Sequence, residues 1–308
     1  MKRFFVVCLL ALALPASAFA WGGVYATGDS FGSTVHIDVS DSYPVDDTLP
    51  QTWATYLGTL VHGTELSKLN LHLAPLPEVQ AECGSNALAC YDAGTETILA
   101  SPDDTLDQPP AKEIVAHEYG HHVARNRLDS PLPAEDFGTK RWASYENICA
   151  RSVDGELSPG NEGASYTENP GEAFAESYRV LNLTKEGDTA IGWDIVDPAL
   201  YPDSTALSLL EQDVVSPWTG PTLTHVKGSF GNGAVRTIGL RTTLDGTLVA
   251  HLHAPTKGTF RLSLWNGKTL IERGISSLRY TICGQRTLTL KVERLRGHGA
   301  FTVDISKP

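Results

Sequence analysis

The chain has 308 residues, 24 Lys and Arg against 36 Asp and Glu, a formal charge of −12 and a hydrophobic fraction of 41%. A wholly disordered chain is excluded, because there is enough apolar material for a packed core. A general nucleic-acid binder is excluded too, because the chain has no basic excess to neutralise phosphates. At about 100–200 residues per domain the length fits one large domain or two.

In chain order, Met1 to Ala20 begins with Lys2 and Arg3, runs apolar from Phe4 to Leu14, and ends in Pro15 and small residues. This is the layout of a secretory signal peptide, and the apolar run is too short to span a bilayer. The small-x-small pattern fits cleavage after Ala18 or Ala20. No later run is long enough for a membrane span. Removing residues 1–20 takes away Lys2 and Arg3 and makes the charge more negative by two. It also takes away Cys8, leaving Cys83, Cys90, Cys149 and Cys283. Four Cys in an exported chain predict two disulfides with three possible connectivities. The short Cys83–Cys90 loop is the preferred pair, which leaves Cys149 with Cys283. A structural zinc site is disfavoured because no pair has the C-x₂₋₄-C spacing.

Residues 21–33 are Gly-rich and carry no clear pattern. Val35–Val39 alternates as a strand, and residues 49–62 have helical periodicity. Leu69–Leu73 alternates again and is stopped by Pro75 and Pro77. Cys90-Tyr91 and Thr97–Ala100 read as a strand pair around Ala93-Gly94. Pro109-Pro110 precedes a helix over about 111–127, and further helices are predicted at about 139–152, 170–183 and 204–214.

The texture changes at Ser216–Pro221. Beyond it lie short alternating runs separated by Gly-containing turns: 236–240, 247–253, 259–265, 278–283, 287–292 and 300–305. The expected organisation is an α+β domain over 21–215, a linker over 216–222 and an all-β sandwich over 223–308. Trp218 and Trp265 are assigned to core packing in preference to a binding face.

One motif carries chemistry. His117-Glu118-Tyr119-Gly120-His121 is H-E-x-x-H inside the helical run 111–127. Residues four apart share a helix face, so His117 and His121 can offer two imidazoles to one zinc ion, with Glu118 placed as general base. Gly120 would cost about 1 kcal/mol in a helix interior, which predicts the close approach of another backbone there. His122 points off that face and is assigned to packing or support. Catalytic zinc needs a third protein ligand. An H-x-x-G-x-x-H extension fails, since Ala124 and Arg127 stand where Gly and His are required. Glu168-Asn169-Pro170-Gly171-Glu172-Ala173-Phe174-Ala175-Glu176 supplies a second helix with Asn169 as N-cap. Glu172 is the preferred ligand and Glu176 the carboxylate behind a ligating His. Two alternatives stay open: Glu172 as part of a capping box with Asn169, and Glu168 as the ligand.

H-E-Y-G-H-H followed by N-P-G-E-A-F-A-E resembles the gluzincin class of zinc metalloproteases, and its second helix is similar to that of anthrax-lethal-factor-like peptidases. The resemblance covers about residues 90–185. It implies a zincin-like catalytic domain with one Zn²⁺ on His117, His121 and Glu172, Glu118 as base and Glu176 behind a His ligand. It also implies a Tyr upstream of the ligand Glu that stabilises an oxyanion, for which Tyr166 is the candidate. An extended substrate would add along the strand at about 95–100, taken as a sheet edge. The C-terminal stretch is similar to the pre-peptidase C-terminal β-sandwich of exported bacterial peptidases, which implies an accessory role. The expected function is that of a secreted zinc endopeptidase, extracellular or periplasmic and monomeric, acting on a peptide or protein substrate. The competing expectations are an inactive zincin-fold adhesion protein and a zinc hydrolase of cell-wall peptides.

Overall fold

The computed structural model describes residues 20–105, 108–230, 233–256 and 258–308. The signal-peptide assignment for Met1 to Ala20 lies outside them, apart from Ala20.

The first unit is a mixed five-stranded sheet with helices. Its strands are β1 (Ala20–Ala26), β2 (Thr34–Ser40), β3 (Asn70–Leu73), β4 (Ala89–Asp92) and β5 (Thr97–Ala100), in the order β1-β2-β3-β5-β4. β2, β3 and β5 run parallel, while β1 and β4 are antiparallel at the two edges. Alternation places Val35, Ile37, Val39, Leu71, Leu73, Ile98 and Ala100 on the buried face. They share one apolar cluster with residues of α1 (Thr48–Leu57), α3 (Ala111–Arg125), α7 (Pro170–Glu186) and α8 (Ser204–Val215). Smaller helices complete the unit: α2 (Leu76–Cys83), α4 (Ala134–Phe137), α5 (Lys140–Tyr145) and α6 (Ile148–Val153).

Several expectations change. The Gly-rich segment from residue 21 is strand β1, with Trp21 beside Val39 and Gly22 beside Asp38. β3 stops before Pro75 as expected, but the prolines then open a helix the sequence reading lacks: Pro75 is the N-cap of α2 and Pro77 lies in its first turn, where a missing N–H costs nothing. The helix expected over 139–152 is two helices, broken by Asn147 in a left-handed conformation at φ 55°. β5 is internal, because the turn at Gly94 folds β4 back against it, so the edge belongs to β4.

The second unit contains β6 (Thr222–Ser229), β7 (Val235–Arg241), β8 (Gly246–His253), β9 (Thr259–Asn266), β10 (Thr269–Gly274), β11 (Ser277–Ile282), β12 (Thr287–Arg296) and β13 (Ala300–Lys307). They form two four-stranded antiparallel sheets, β10-β9-β12-β7 and β11-β8-β13-β6. Leu262, Leu264 and Leu290 of one meet Leu248, Val303 and Ile305 of the other in a second apolar cluster. β6 and β10 escape the sequence reading because neither shows clean alternation. Trp218 and Trp265 are not core residues. Both are half-buried and covered by cations, the Lys140 and Lys291 ammonium groups lying 4.5 and 3.9 Å from their rings.

Both expected disulfides are formed, Cys83–Cys90 and Cys149–Cys283. The second ties α6 to the turn after β11. Around it the Asp245 N–H donates to Ser144 Oγ at 2.8 Å, and the Arg286 guanidinium bonds both Asp245 and the Ser144 carbonyl. No helix among the described residues is long and apolar enough to cross a membrane.

Candidate metal centre

Helices α3 and α7 carry the site. α3 starts after Pro110, with the Asp104 carboxylate accepting from the Ala111 N–H at 2.7 Å. α7 starts at Asn169, whose side chain accepts from the Gly171 N–H, and ends at Gly187 in the left-handed conformation that suits glycine. The two helices meet at Gly120. A Cβ there would lie 2.7 Å from Ala175 Cα, so glycine is what the contact requires. The close approach expected from the sequence is present.

That contact brings His117, His121 and Glu172 together. One ligand atom of each lies within 4.8 Å of the others. His117 Nε2 is 3.2 Å from Glu172 Oε2, and His121 Nε2 is 3.4 Å from Glu172 Oε1. His121 keeps 19% of its side-chain surface while Glu172 keeps 5%, so the group opens to solvent on the His121 side. Behind it, His117 Nδ1 meets Glu176 Oε2 at 3.0 Å, which orients the ring and leaves Nε2 facing Glu172.

The capping alternative for Glu172 is not realised. The Asn169 N–H goes to the Tyr166 carbonyl, while the Glu172 carboxylate faces the two imidazoles and Tyr166. Glu168 lies on a short 3₁₀ turn outside the three-residue group. Tyr166 precedes it on that turn and donates its hydroxyl to Glu172 Oε2 at 2.5 Å. His122 is fully buried away from the group. Its Nε2 contacts the Glu65 carbonyl at 2.9 Å and its Nδ1 the Tyr91 hydroxyl at 3.0 Å.

The electrostatics favour a cation. Burial would raise the Glu172 carboxyl, but His121 and His117 outweigh it and hold the group well below the usual carboxylate range. Burial would lower His117, but Glu172, Glu176 and Glu118 push it up to about 10. The half-buried Glu118 carboxyl is raised by desolvation, only partly offset by the two imidazoles. Tyr166 is raised by burial and by Glu172, so its hydroxyl remains a donor through the ordinary pH range. Three carboxylates around two imidazoles in a poorly solvated site are satisfied by protons on the rings or by a metal ion in their place. Two imidazole nitrogens and a carboxylate also match the donor set that zinc takes.

Two supporting residues escaped the sequence reading. Arg179 grips Glu176 through Nε at 3.0 Å and Nη2 at 2.5 Å, and reaches Glu113 Oε2 and the Gly192 carbonyl. Its place one turn after Glu176 on an apolar helix was the available hint. Arg127, where a third His had been sought, bonds Glu65 Oε2 at 2.8 Å and the carbonyls of Asp213 and Val214, locking the end of α3 to α8.

No protein-family model and no curated protein sequence matches the chain. Among solved structures, one similar chain is PliG of Aeromonas hydrophila, a periplasmic lysozyme inhibitor of g-type lysozyme. It is 12% identical, with a TM-score of 0.26 over 29% of this chain and 89% of that one. A likeness of that size carries no argument about fold or function.

Proposed function

We propose that the chain is an exported zinc-dependent endopeptidase with a zincin-like catalytic unit and an accessory β-sandwich. The observation that carries this reading is the convergence of His117, His121 and Glu172 from two helices, with Glu118 beside them. The two disulfides fit an oxidising compartment outside the cytoplasm, as the N-terminal segment does.

His117, His121 and Glu172 would hold the ion, and Glu176 fixes the His117 ring. A zinc ion held there would supply Lewis acidity, activating a water molecule near neutral pH and polarising a substrate carbonyl. Glu118, made more basic by its desolvated position, takes the proton from the attacking water and returns it to the leaving amine. Tyr166 stays protonated and would donate a hydrogen bond to the carbonyl oxygen as negative charge develops on it. The antiparallel edge strand β4, packed beside α3, offers unpaired backbone groups to an extended peptide.

The test compares zinc content and peptide or casein cleavage for wild type and Glu118→Gln. Wild type is expected to bind zinc and cleave, and Glu118→Gln to bind zinc without cleaving. Zinc bound by both with cleavage by neither would leave a binding protein in place of a peptidase. Equal cleavage by both would remove Glu118 from the mechanism.

A further inference from the structure

The acidic charge of the chain is unevenly divided. Residues 223–308 hold 13 Lys and Arg, and their only acids are Asp245, Glu272, Glu293 and Asp304, so the sandwich is positive by nine. Residues 21–222 hold 9 Lys and Arg against 32 Asp and Glu, and are negative by 23. An acidic chain thus carries a basic module, and an asymmetry of this kind points to an anionic partner for the basic part.

The outer face of the sheet β10-β9-β12-β7 gives that charge a shape. Alternation buries Leu262, Leu264, Leu290 and Val292, and register then turns Arg261, Arg273, Lys291 and Arg241 outwards. Arg273, Ser263, Lys291 and Thr237 stand in one row across all four strands. Two strand spacings, about 10 Å, separate the positions of Arg273 and Lys291. Glu293 neutralises Arg261 at 2.6 Å, and among the described residues no acid forms an ion pair with Arg241, Arg273 or Lys291.

Trp265 lies along this row. Its Nε1 donates to Ser263 Oγ at 2.9 Å and the Lys291 ammonium lies 3.9 Å from its ring, so Ser263 is fully buried although it is on the outer side of the sheet. In the next row Thr289 and Gly239 stand in register with Trp265, and a Cβ at Gly239 would meet nothing within 4 Å. The result is a shallow open trough with threonine hydroxyls in its floor, cations along it and one aromatic side. Hydroxyls and spaced cations suit a stiff chain of sugars that carries an anion at regular intervals. A bilayer asks for a broad apolar face, and single-stranded nucleic acid for several stacking platforms. One Trp tethered to Ser263 supplies neither.

We propose that this face docks the protein on an anionic polysaccharide, with Lys291, Arg273 and Arg241 meeting its carboxylate or sulfate groups and Trp265 packing against a sugar ring. The site stands apart from the proposed metal centre and does not depend on peptidase activity.

The full mature chain with its disulfides intact is titrated with heparin, polygalacturonate and neutral dextran at about 0.1 M NaCl. Wild type is expected to bind heparin, polygalacturonate or both, and not dextran; the preferred polymer identifies the anion as sulfate or carboxylate. Affinity is expected to fall about tenfold or more between about 0.05 and 0.2 M NaCl. Lys291→Glu with Arg273→Glu is expected to weaken binding at least about tenfold, with an unchanged circular dichroism spectrum and unchanged peptide cleavage. Lys227→Glu with Arg279→Glu makes the same change of charge on the other sheet and is expected to weaken it less than about threefold. The proposal is overturned if wild type binds neither anionic polymer, or if the two double variants lose affinity equally. Tighter binding to duplex DNA or to phosphatidylglycerol vesicles than to both polymers would also overturn it.

Discussion

Gly120 of α3 and Ala175 of α7 lie in backbone contact, and the metal donors on the two helices converge because of it. Glu172 lies about one turn before Ala175 and Glu176 directly after it, and His117 and His121 bracket Gly120 in the same way, so any separation at this point is passed to every donor. Gly120→Ala adds a methyl where the nearest atom is backbone, which side-chain rotation cannot relieve. The expected cost is about 1–3 kcal/mol of stability, measured by urea unfolding, together with weaker zinc binding. A variant with wild-type zinc affinity would show that the helices separate without disturbing the donors.

Arg179 stands behind the donors as the clamp on Glu176. Arg179→Lys keeps a positive charge and loses the fork that holds both carboxylate oxygens. Zinc affinity is expected to fall about 10–100-fold, the usual effect of disturbing the partner of a ligating His. Competition with a chromophoric chelator measures this, and kcat at saturating zinc should change far less than the affinity.

Tyr166 separates two roles, since its hydroxyl bonds Glu172 in the structure and is the group proposed to meet the developing oxyanion. If it stabilises the developing oxyanion, Tyr166→Phe lowers kcat about 10²–10³-fold with KM nearly unchanged. Zinc affinity should then fall less than tenfold. A loss confined to zinc affinity would make Tyr166 a support for Glu172 alone.

The parts of this site legible in sequence are those in which residue type and spacing define the geometry. His117 and His121 share a face because they are four apart, and Asn169-Pro170 marks the start of α7 by capping chemistry. The Cys pairing follows from the short loop between Cys83 and Cys90. The Arg179–Glu113 bond was not legible, because it joins α7 to α3 and depends on how those helices cross, although Arg179 and Glu176 stand one turn apart on α7. β1 was hidden by its glycines, and α2 by prolines that suit a first helical turn as well as a break. The edge position of β4 is a property of strand order, which no local pattern encodes.

The Cys149–Cys283 bridge closes a loop of 134 residues between the two units. Replacing both Cys by Ser is expected to cost about 2–5 kcal/mol, seen as a lower urea midpoint. The bonds from Arg286 to Asp245 and to the Ser144 carbonyl remain, so the units should stay docked and peptide cleavage should persist at low temperature. Separate unfolding transitions for the two units would show that the bridge, and not this network, couples them.

Beside that network Asp129 is buried against Lys140, with Nζ 2.6 Å from Oδ1. Burial, reinforced by Asp213 and Asp245, outweighs the Lys140 ammonium and lifts the Asp129 carboxyl to about 7. The unfolded chain releases this proton near its ordinary value of about 3.9. Between those values the folded state holds a proton that the unfolded state has lost. The contribution is therefore complete below about pH 4 and is lost as the pH rises through about 7. Asp129→Asn imitates the protonated form at every pH. Its unfolding free energy should depend on pH less steeply than that of wild type by up to about one proton in this window. Glu146 is also lifted to about 7, but it titrates in both proteins and cancels in the difference. Urea unfolding at half-unit steps from about pH 4.5 to 7.5 covers the window in which the slopes separate. Parallel curves would mean that Lys140 keeps Asp129 ionised throughout.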